Sequence, residues 1–453
     1  MMNCYPEYKS TDQTWIARIP AHWDYYRAKR IFDSPKEKNI GNGESNVLSL
    51  TLQGVIRNSK DRPIGLSPED YATYQIFEPN DLVFKLIDLE NISTSRVGVV
   101  PERGIMSSAY IRFSAKTDVN IRYFYFQYYD LWLRCVFNGL GAGVRQTLSA
   151  DDLRNMKIMV PPRKEQDQIV RYIDWKTSYI NKLINAKRKQ IALIEEKKQF
   201  VIDSSVTRGL RGNTTVHNDN IDWIKNIPSN WEAKRIKYLF KMKDKRNYLP
   251  LSEVNLLSLY TKLGVVQNSD VEYKCGNKAR TAEGYKIVER DDIIVNIILC
   301  WMGAIGRSAY SGVTSPAYDI YTPLQNVSSK YYHYLFRTSR FSGQCYIAGR
   351  GIMAMRWRTY SSQFRNIYVP VPSFEEQLEI ANYLDNFCNE QDSLISKIEK
   401  EIKLLQKYRT CLISNIVTGK IDIRTIEIPE YDEVKEIFAE EFINDESDLS
   451  EVD

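Results

Sequence analysis

Basic and amide side chains punctuate short loops, broken by Gly and Asn, in both halves of this 453-residue chain. In the first half they are Arg57, Lys60, Lys85, Arg96, Arg145 and Gln146. In the second they are Lys262, Gln267, Asn268, Arg307, Arg350 and Arg356. An Arg fork matches the O6/N7 edge of guanine, and a Gln or Asn amide matches the N6/N7 edge of adenine. Each such bidentate pair discriminates by ~1–3 kcal/mol. Lys and Arg on phosphates position a protein without selecting sequence. Arg145-Gln146 is the sharpest pair, because it follows the glycine run Gly139 to Gly143. Trp301 and Trp357 could support or flank a recognition loop. For each residue singly the plain alternative is a solvated surface or an ion pair.

Bond-making chemistry has far less to work with. No Asn/Asp-Pro-Pro-Tyr/Phe loop is present to hold a target amine, and no GxxxxGK[ST] to cradle a nucleotide. The glycines Gly98, Gly104 and Gly139 to Gly143 lack the strand–turn–helix spacing of a dinucleotide site. Gly98 and Gly306 are expected to allow tight turns. The triplets Pro68-Glu-Asp70 and Glu272-Tyr-Lys274 could hide a carboxylate–metal nuclease, but triplets of this kind arise by chance. His22, His217 and His333 are isolated. His22 is read as support for the opening turn, and His333 as core in a Tyr-rich segment. The seven Cys, at 4, 135, 275, 300, 345, 388 and 411, form no CxxC. A structural metal is therefore not expected, and a reducing cytoplasm is. No signal peptide or 18-residue apolar run stands in the chain, so no membrane role is expected.

The elements that must carry these side chains are written twice. Trp15-Ile-Ala-Arg-Ile-Pro20-Ala-His-Trp23 returns 208 residues later as Trp223-Ile-Lys-Asn-Ile-Pro228-Ser-Asn-Trp231. Asp81-Leu-Val-Phe84 returns as Asp292-Ile-Ile-Val295, and Ser107-Ser-Ala-Tyr110 as Ser315-Pro-Ala-Tyr318. Glu165-Gln166 matches Glu376-Gln377, and Tyr172-Ile-Asp174 matches Tyr383-Leu-Asp385. The stretches at 55–75 and 265–285, and at 85–96 and 296–304, differ much more. A shared scaffold with different loops is what two targets of different shape require.

Asn46–Leu50, Asp81–Lys85 and Met156–Val160 read as strands bounded by turns, and Ile121–Arg134 as a helix with an aromatic stripe. The fold class is therefore α+β, with two pseudo-symmetric mixed domains. Pro161-Pro162 ends the last strand. From Glu165 to about Ser205 no Pro or Gly occurs, and Ile173, Ile180, Ile184, Ile191, Ile194 and Val201 form a seam with Lys187 and Lys198 on it. The second seam is Leu384, Phe387, Leu394, Ile398, Ile402, Leu405, Leu412 and Ile416, and Gly209 and Gly419 close the two helices. Each helix supplies the partner that the other's apolar stripe needs, and the expected arrangement is two long antiparallel coiled-coil helices separating the domains. Independent domains with trailing helices are the alternative. The expected boundaries are 1–162 and 211–373 for the domains, 163–210 and 374–420 for the helices, and 421–453 for a tail.

Charge sharpens the reading. Residues 425–453 hold twelve acidic residues and one Lys, a net of −11, so the +5 of the whole chain leaves +16 on residues 1–424. A body that basic favours a polyanion, since neutralised phosphates release counterions. The acidic tail is read as a mobile or partner-binding extension. The 30 Tyr and 8 Trp suit binding surfaces and β-rich cores alike.

Taken in order and twice, the boxes resemble the specificity subunit of Type I restriction-modification systems. They are Ile19-Pro20…Trp23 and Ile227-Pro228…Trp231; Val160-Pro-Pro…Glu165-Gln166 and Val369-Pro370-Val-Pro372…Glu376-Gln377; and Val206-Thr-Arg-Gly209 and Val417-Thr-Gly-Lys420. The resemblance spans roughly residues 7–424. It implies two target-recognition domains reading the halves of an interrupted, asymmetric site in double-stranded DNA. It implies a helical spacer docking two copies of an adenine methyltransferase subunit, and a translocating restriction subunit completing the complex. Cofactors would be absent from this chain; S-adenosylmethionine, ATP and Mg would belong to the partner subunits. Gly141–Thr147 departs from its counterpart Gly349–Trp357, which is longer, so contacts cannot be aligned across the halves there. The rivals from other classes are a two-headed protein scaffold and a DNA-acting enzyme with an unfamiliar site.

Overall fold

The structure is a computed structural model that describes residues 4–58, 70–87, 89, 95–140, 147–212, 214–270, 281–351 and 357–437. The chain forms two compact units. Unit 1 joins Met1–Ala186 to Lys400–Ile437, and unit 2 takes Lys187–Glu399.

Unit 1 opens on the antiparallel pair β1 (Tyr8–Gln13) and β2 (Ile16–Pro20), followed by β3 (Asp24–Arg27) and β4 (Phe32–Asp33). A hairpin, β5 (Leu48–Thr51) and β6 (Gly54–Arg57), precedes β7 (Gln75–Phe77), β8 (Leu82–Phe84), β9 (Val97–Val99), β10 (Gly104–Met106) and β11 (Ile111–Ala115). The central sheet has the order β4-β11-β8-β9. Then come α1 (Ile121–Leu133), α2 (Val136–Leu140), α3 (Ala150–Asn155) and β12 (Lys157–Val160), which pairs with β3. The long helix α4 covers Arg163–Arg208. The strands fall where short apolar runs are bounded by turns. Helix α1 buries Tyr123, Phe124, Phe126, Tyr128 and Leu131, the expected aromatic stripe.

Unit 2 repeats the plan. It runs through β13 (Thr215–His217), β14 (Asn226–Pro228), β15 (Glu232–Arg235), β16 (Phe240–Lys243), β17 (Leu257–Tyr260), β18 (Gly264–Gln267), β19 (Lys286–Val288), β20 (Ile293–Asn296), β21 (Ile305–Arg307), β22 (Gly312–Thr314) and β23 (Tyr318–Pro323). Its sheet order is β16-β23-β20-β21. Helices α5 (Ser329–Phe336), α6 (Ser339–Ala348) and α7 (Ser361–Phe364), strand β24 (Tyr368–Val371) and helix α8 (Phe374–Val417) complete the set.

The repeated residues hold the same joints in both units. Gln166 accepts from the Asn120 amide at 2.9 Å and donates to the Pro161 carbonyl at 2.8 Å. Gln377 does the same with Ser328 at 2.8 Å and Pro372 at 2.9 Å. Both glutamines are buried, so losing either leaves unpaired backbone at the start of a long helix. Asp81 caps its turn by accepting from the Glu78 amide at 2.8 Å, and Asp292 accepts from the Glu289 amide at 2.8 Å. The cation beside each differs: Arg112 on Asp81 at 2.6 Å, Lys243 on Asp292 at 3.2 Å.

The helices run antiparallel within each unit, and each unit receives the far end of the other repeat's helix. In unit 1 the Tyr123 hydroxyl meets the Val417 carbonyl at 3.4 Å, and Arg409 meets Asn181 at 2.5 Å. In unit 2 the Tyr331 hydroxyl meets the Val206 carbonyl at 2.8 Å, and Lys198 meets Asp392 at 2.6 Å. Gly419 (φ 69°) and Gly209 (φ 76°) end the helices in the left-handed region. A Cβ on Gly419 would lie 2.4 Å from Pro20, and one on Gly209 would lie 3.3 Å from Trp231. The seam is not uniformly buried. Ile173, Ile180, Ile184, Ile398, Ile402, Leu412 and Ile416 are buried, whereas Ile191, Ile194 and Val201 are half-exposed. Those three lie around Lys198, whose ammonium must reach Asp392 and water.

Candidate nucleic-acid interface

In unit 1 the candidates sit on the β5–β6 hairpin and on the loop after β8. Arg57 ends β6 opposite Leu48, and its fork grips Glu102, the second bond measuring 2.5 Å. This hydrogen bond holds the Glu102 carboxyl below its ordinary range. Lys85 follows β8, and its amide donates to the Arg96 carbonyl at 3.1 Å. Arg96 is 1% exposed, and its guanidinium reaches the carbonyls of Lys85 and Ile87 at 3.4 and 3.3 Å. Arg96 therefore braces the loop from inside, its guanidinium buried against backbone carbonyls instead of standing at the surface. Lys60, Arg145 and Gln146 lie outside the described residues. Gly98 makes no tight turn. It sits inside β9, where a Cβ would fall 2.6 Å from Leu50 and 2.9 Å from Val55, so its missing side chain lets the hairpin lie on the sheet.

Unit 2 repeats this with other side chains. Its hairpin is β17–β18, and Gly306, inside β21, approaches Val265 at 3.3 Å where a Cβ would stand. Lys262 is exposed in the hairpin turn. Gln267 accepts from Asn255 and donates to Asp270, both at 3.0 Å, and the Asn268 amide donates to the Leu256 carbonyl at 2.9 Å. Arg307, on β21, is tied to Asp291 at 2.5 Å. Lys262, Gln267 and Asn268 thus share one hairpin with Arg307 on the neighbouring strand. Arg350 stands apart, bridged to Arg358 beyond α6, and Arg356 lies outside the described residues.

The comparisons with known proteins fall on these same two bodies. The family model for the Type I restriction modification DNA specificity domain matches residues 37–193 and again 228–404. The chain belongs to that family. Two specificity subunits from Methanocaldococcus jannaschii are similar to it. The candidate type I restriction enzyme MjaX specificity subunit is 23% identical over 298 residues, which cover 62% of this chain and 63% of that protein. The type I restriction enzyme MjaVIII specificity subunit is 22% identical over 356 residues, covering 72% and 76%. Among solved structures, one described as the structural basis underlying complex assembly and conformational transition of the type I R-M system is similar in fold. It matches with a TM-score of 0.64 at 12% identity, over 89% of this chain and 99% of its own.

Within the second specificity domain, Arg337 is a residue that sequence reasoning missed. Its guanidinium spans the carbonyls of Thr261 (2.8 Å), Lys262 (2.7 Å) and Ile305 (3.2 Å), so it pins the β17–β18 turn. Its spacing from the hairpin gives no signal, because α5 carries it there from far along the chain. His333 lies beside it and accepts from the Arg307 amide at Nδ1, at 3.1 Å. Burial and the two arginines push its imidazole down to about 3, so it stays neutral near neutral pH. Trp357 stacks on Tyr346 at 4.8 Å and donates to the Tyr346 carbonyl at 3.0 Å, while Trp301 meets the same ring at 5.7 Å. This aromatic wall stands beside Arg350. Among the described residues no cluster of His, Cys, Asp and Glu could hold a metal, and no helix is long and apolar enough to cross a membrane.

Proposed function

We propose that this chain reads an asymmetric, interrupted sequence in double-stranded DNA and performs no chemistry itself. On this reading residues 1–162 and 211–373 each read one half-site. The helices at 163–210 and 374–420 set the spacing and seat two copies of an adenine methyltransferase subunit. A restriction and translocation subunit joins them, and S-adenosylmethionine, ATP and Mg enter with those partners. Cytoplasmic residence follows from that role.

One observation carries the reading. The two units share their joints, at Gln166 and Gln377, Asp81 and Asp292, and Gly98 and Gly306, yet present different side chains from equivalent hairpins. A shared frame with different faces is what reading two different half-sites requires. The described contact candidates are Arg57, Lys85, Lys262, Gln267, Asn268, Arg307 and Arg350, and Lys60, Arg145, Gln146 and Arg356 complete the set. The test is single-molecule methylation mapping of DNA from cells with and without the gene. Loss of methylated adenine at one two-part motif is the expected result. Unchanged methylation would sink the claim that this chain directs an active modification complex.

A further inference from the structure

In unit 1 the segment after α8 is strapped along α4. Gln168 donates to the Ile426 carbonyl at 2.7 Å, Asn181 to that of Val434 at 2.8 Å and Asn185 to that of Lys435 at 3.0 Å. The Ile437 amide returns a bond to Asn185 at 3.0 Å. Glu436, its side chain 3% exposed, meets Arg409 at 2.6 Å and Gln406 at 2.9 Å. Tyr125 and Tyr129 back this seat, and burial raises both phenols.

The same seat exists in unit 2. By the repeat, Asn181 corresponds to Asp392, Ser178 to Asn389, Gln406 to Glu195 and Arg409 to Lys198. The cross-helix pair is retained, Arg409 on Asn181 becoming Lys198 on Asp392. Where unit 1 holds its strap, unit 2 has a cavity of about 760 Å³ lined by Glu195, Lys198, Leu263, Arg337, Cys388 and Asp392, among others. His333 and Arg337 stand in the places of Tyr125 and Tyr129.

We infer that the acidic C-terminal segment, residues 438–453, docks in this cavity. It then makes in unit 2 the contact that residues 426–437 make in unit 1. Three observations favour it over a foreign segment. First, the strap climbs α4 from Gln168 to Asn185, and the cavity lies on the same stripe of the same helix. Ser178, Asn185 and Gln199 share one heptad position, and Asn181, Glu195 and Ile202 share another. Second, the chain reaches. Lys198 stands ~20 Å beyond Asn185 along the helix. Residues 438–453, fully extended, span up to ~55 Å.

Third, the chemistry fits. The segment carries seven acidic residues and no Lys or Arg, interleaved with Phe438, Phe442, Ile443 and Leu449. Ile202, Leu263 and Ile395 give the cavity apolar wall. Arg337 bonds only carbonyls among the described residues, so its charge has no carboxylate partner there. In unit 1 Glu436 supplies a carboxylate to Arg409, whereas its counterpart Lys198 is already paired with Asp392, so Arg337 is the cation left for the segment. The carboxylates of Glu195, Glu196 and Asp392 also face the cavity, and Lys198 neutralises Asp392.

Cys388 lines the cavity and reports on it. Alkylation followed by peptide mass mapping compares the full chain with a chain ending at Ile437. The expected result is roughly fivefold faster modification of Cys388 in the shortened chain, since exposure governs thiol reactivity. A synthetic peptide of residues 438–453 restores protection, and Leu263→Asp in the full chain removes it. Equal Cys388 rates in the full and shortened chains overturn the inference. A rise shared by the buried Cys300 and Cys345 overturns it too, because that reports a loosened fold.

Discussion

Asp174 shows how much a single residue here depends on its surroundings. Burial pushes its carboxyl up to about 6, with Arg122 pulling the other way through bonds of 2.7 and 2.8 Å and Glu433 adding to the rise. The folded chain therefore holds this proton more tightly than the unfolded one. The resulting stabilisation is complete below an unfolded carboxylate pKa of about 4. It fades as pH rises through about 6. Asp174→Asn should flatten the dependence of melting temperature on pH across that window. Thermal melts at fixed salt check this, and a curve parallel to the wild type's would refute it. The sequence displayed Asp174 only as half of a repeated pair with Asp385. Its environment depends on a strap more than two hundred residues away, which no local pattern encodes. Arg96 was misread for a related reason. A basic residue in a loop looks solvent-facing until the loop closes over it, and carbonyl acceptors leave no trace in the sequence.

At the scale of the element, periodicity made both long helices and the aromatic stripe of α1 legible, because helical spacing records burial directly. The hairpins were less legible. The variable stretches at 55–75 and 265–285 overlap only the second strand of each hairpin, and the glycines that admit the hairpins, Gly98 and Gly306, read as turn residues but are gaps in a packed sheet. The helix stops were readable at both ends. Gly419 combines a φ of 69° with a Cβ position 2.4 Å from Pro20 and 3.1 Å from Trp23. Gly419→Ala should therefore destabilise the chain by about 1–3 kcal/mol through strain and overpacking. Gly212→Ala, where the added Cβ meets nothing within 4 Å, is the control. Denaturant titration compares the two, and equal midpoints would mean that the helix end is not seated on the opening turn.

For the whole molecule, duplication was legible and the reading surface was not. Repeats declare themselves by spacing, whereas base contacts depend on loop conformation, and Lys60, Arg145, Gln146 and Arg356 fall outside the described residues. If each unit reads its own half-site, a change in one hairpin should alter one half of the motif alone. Gln267→Ala, or an exchange of residues 262–268, is expected to relax or shift one half of the methylated motif and leave the other intact. Methylation mapping of the variant strain checks this. A change in both halves at once would show that the units do not read independently.

Unit 1 is assembled from the beginning and the end of the chain. The Tyr8 hydroxyl donates to the Gly419 carbonyl at 3.0 Å, and Arg424 lies over the Tyr5 ring at 4.9 Å. The order in which the two halves are written in the gene is therefore close to arbitrary. A gene that joined the codons near 424 to those near 5 and opened between 210 and 214 would encode a permuted protein that keeps the repeated joints and loses the strap of residues 426–437. The joints that either half must satisfy in such a permuted chain are the repeated ones, at Gln166 and Gln377 and at Gly209 and Gly419.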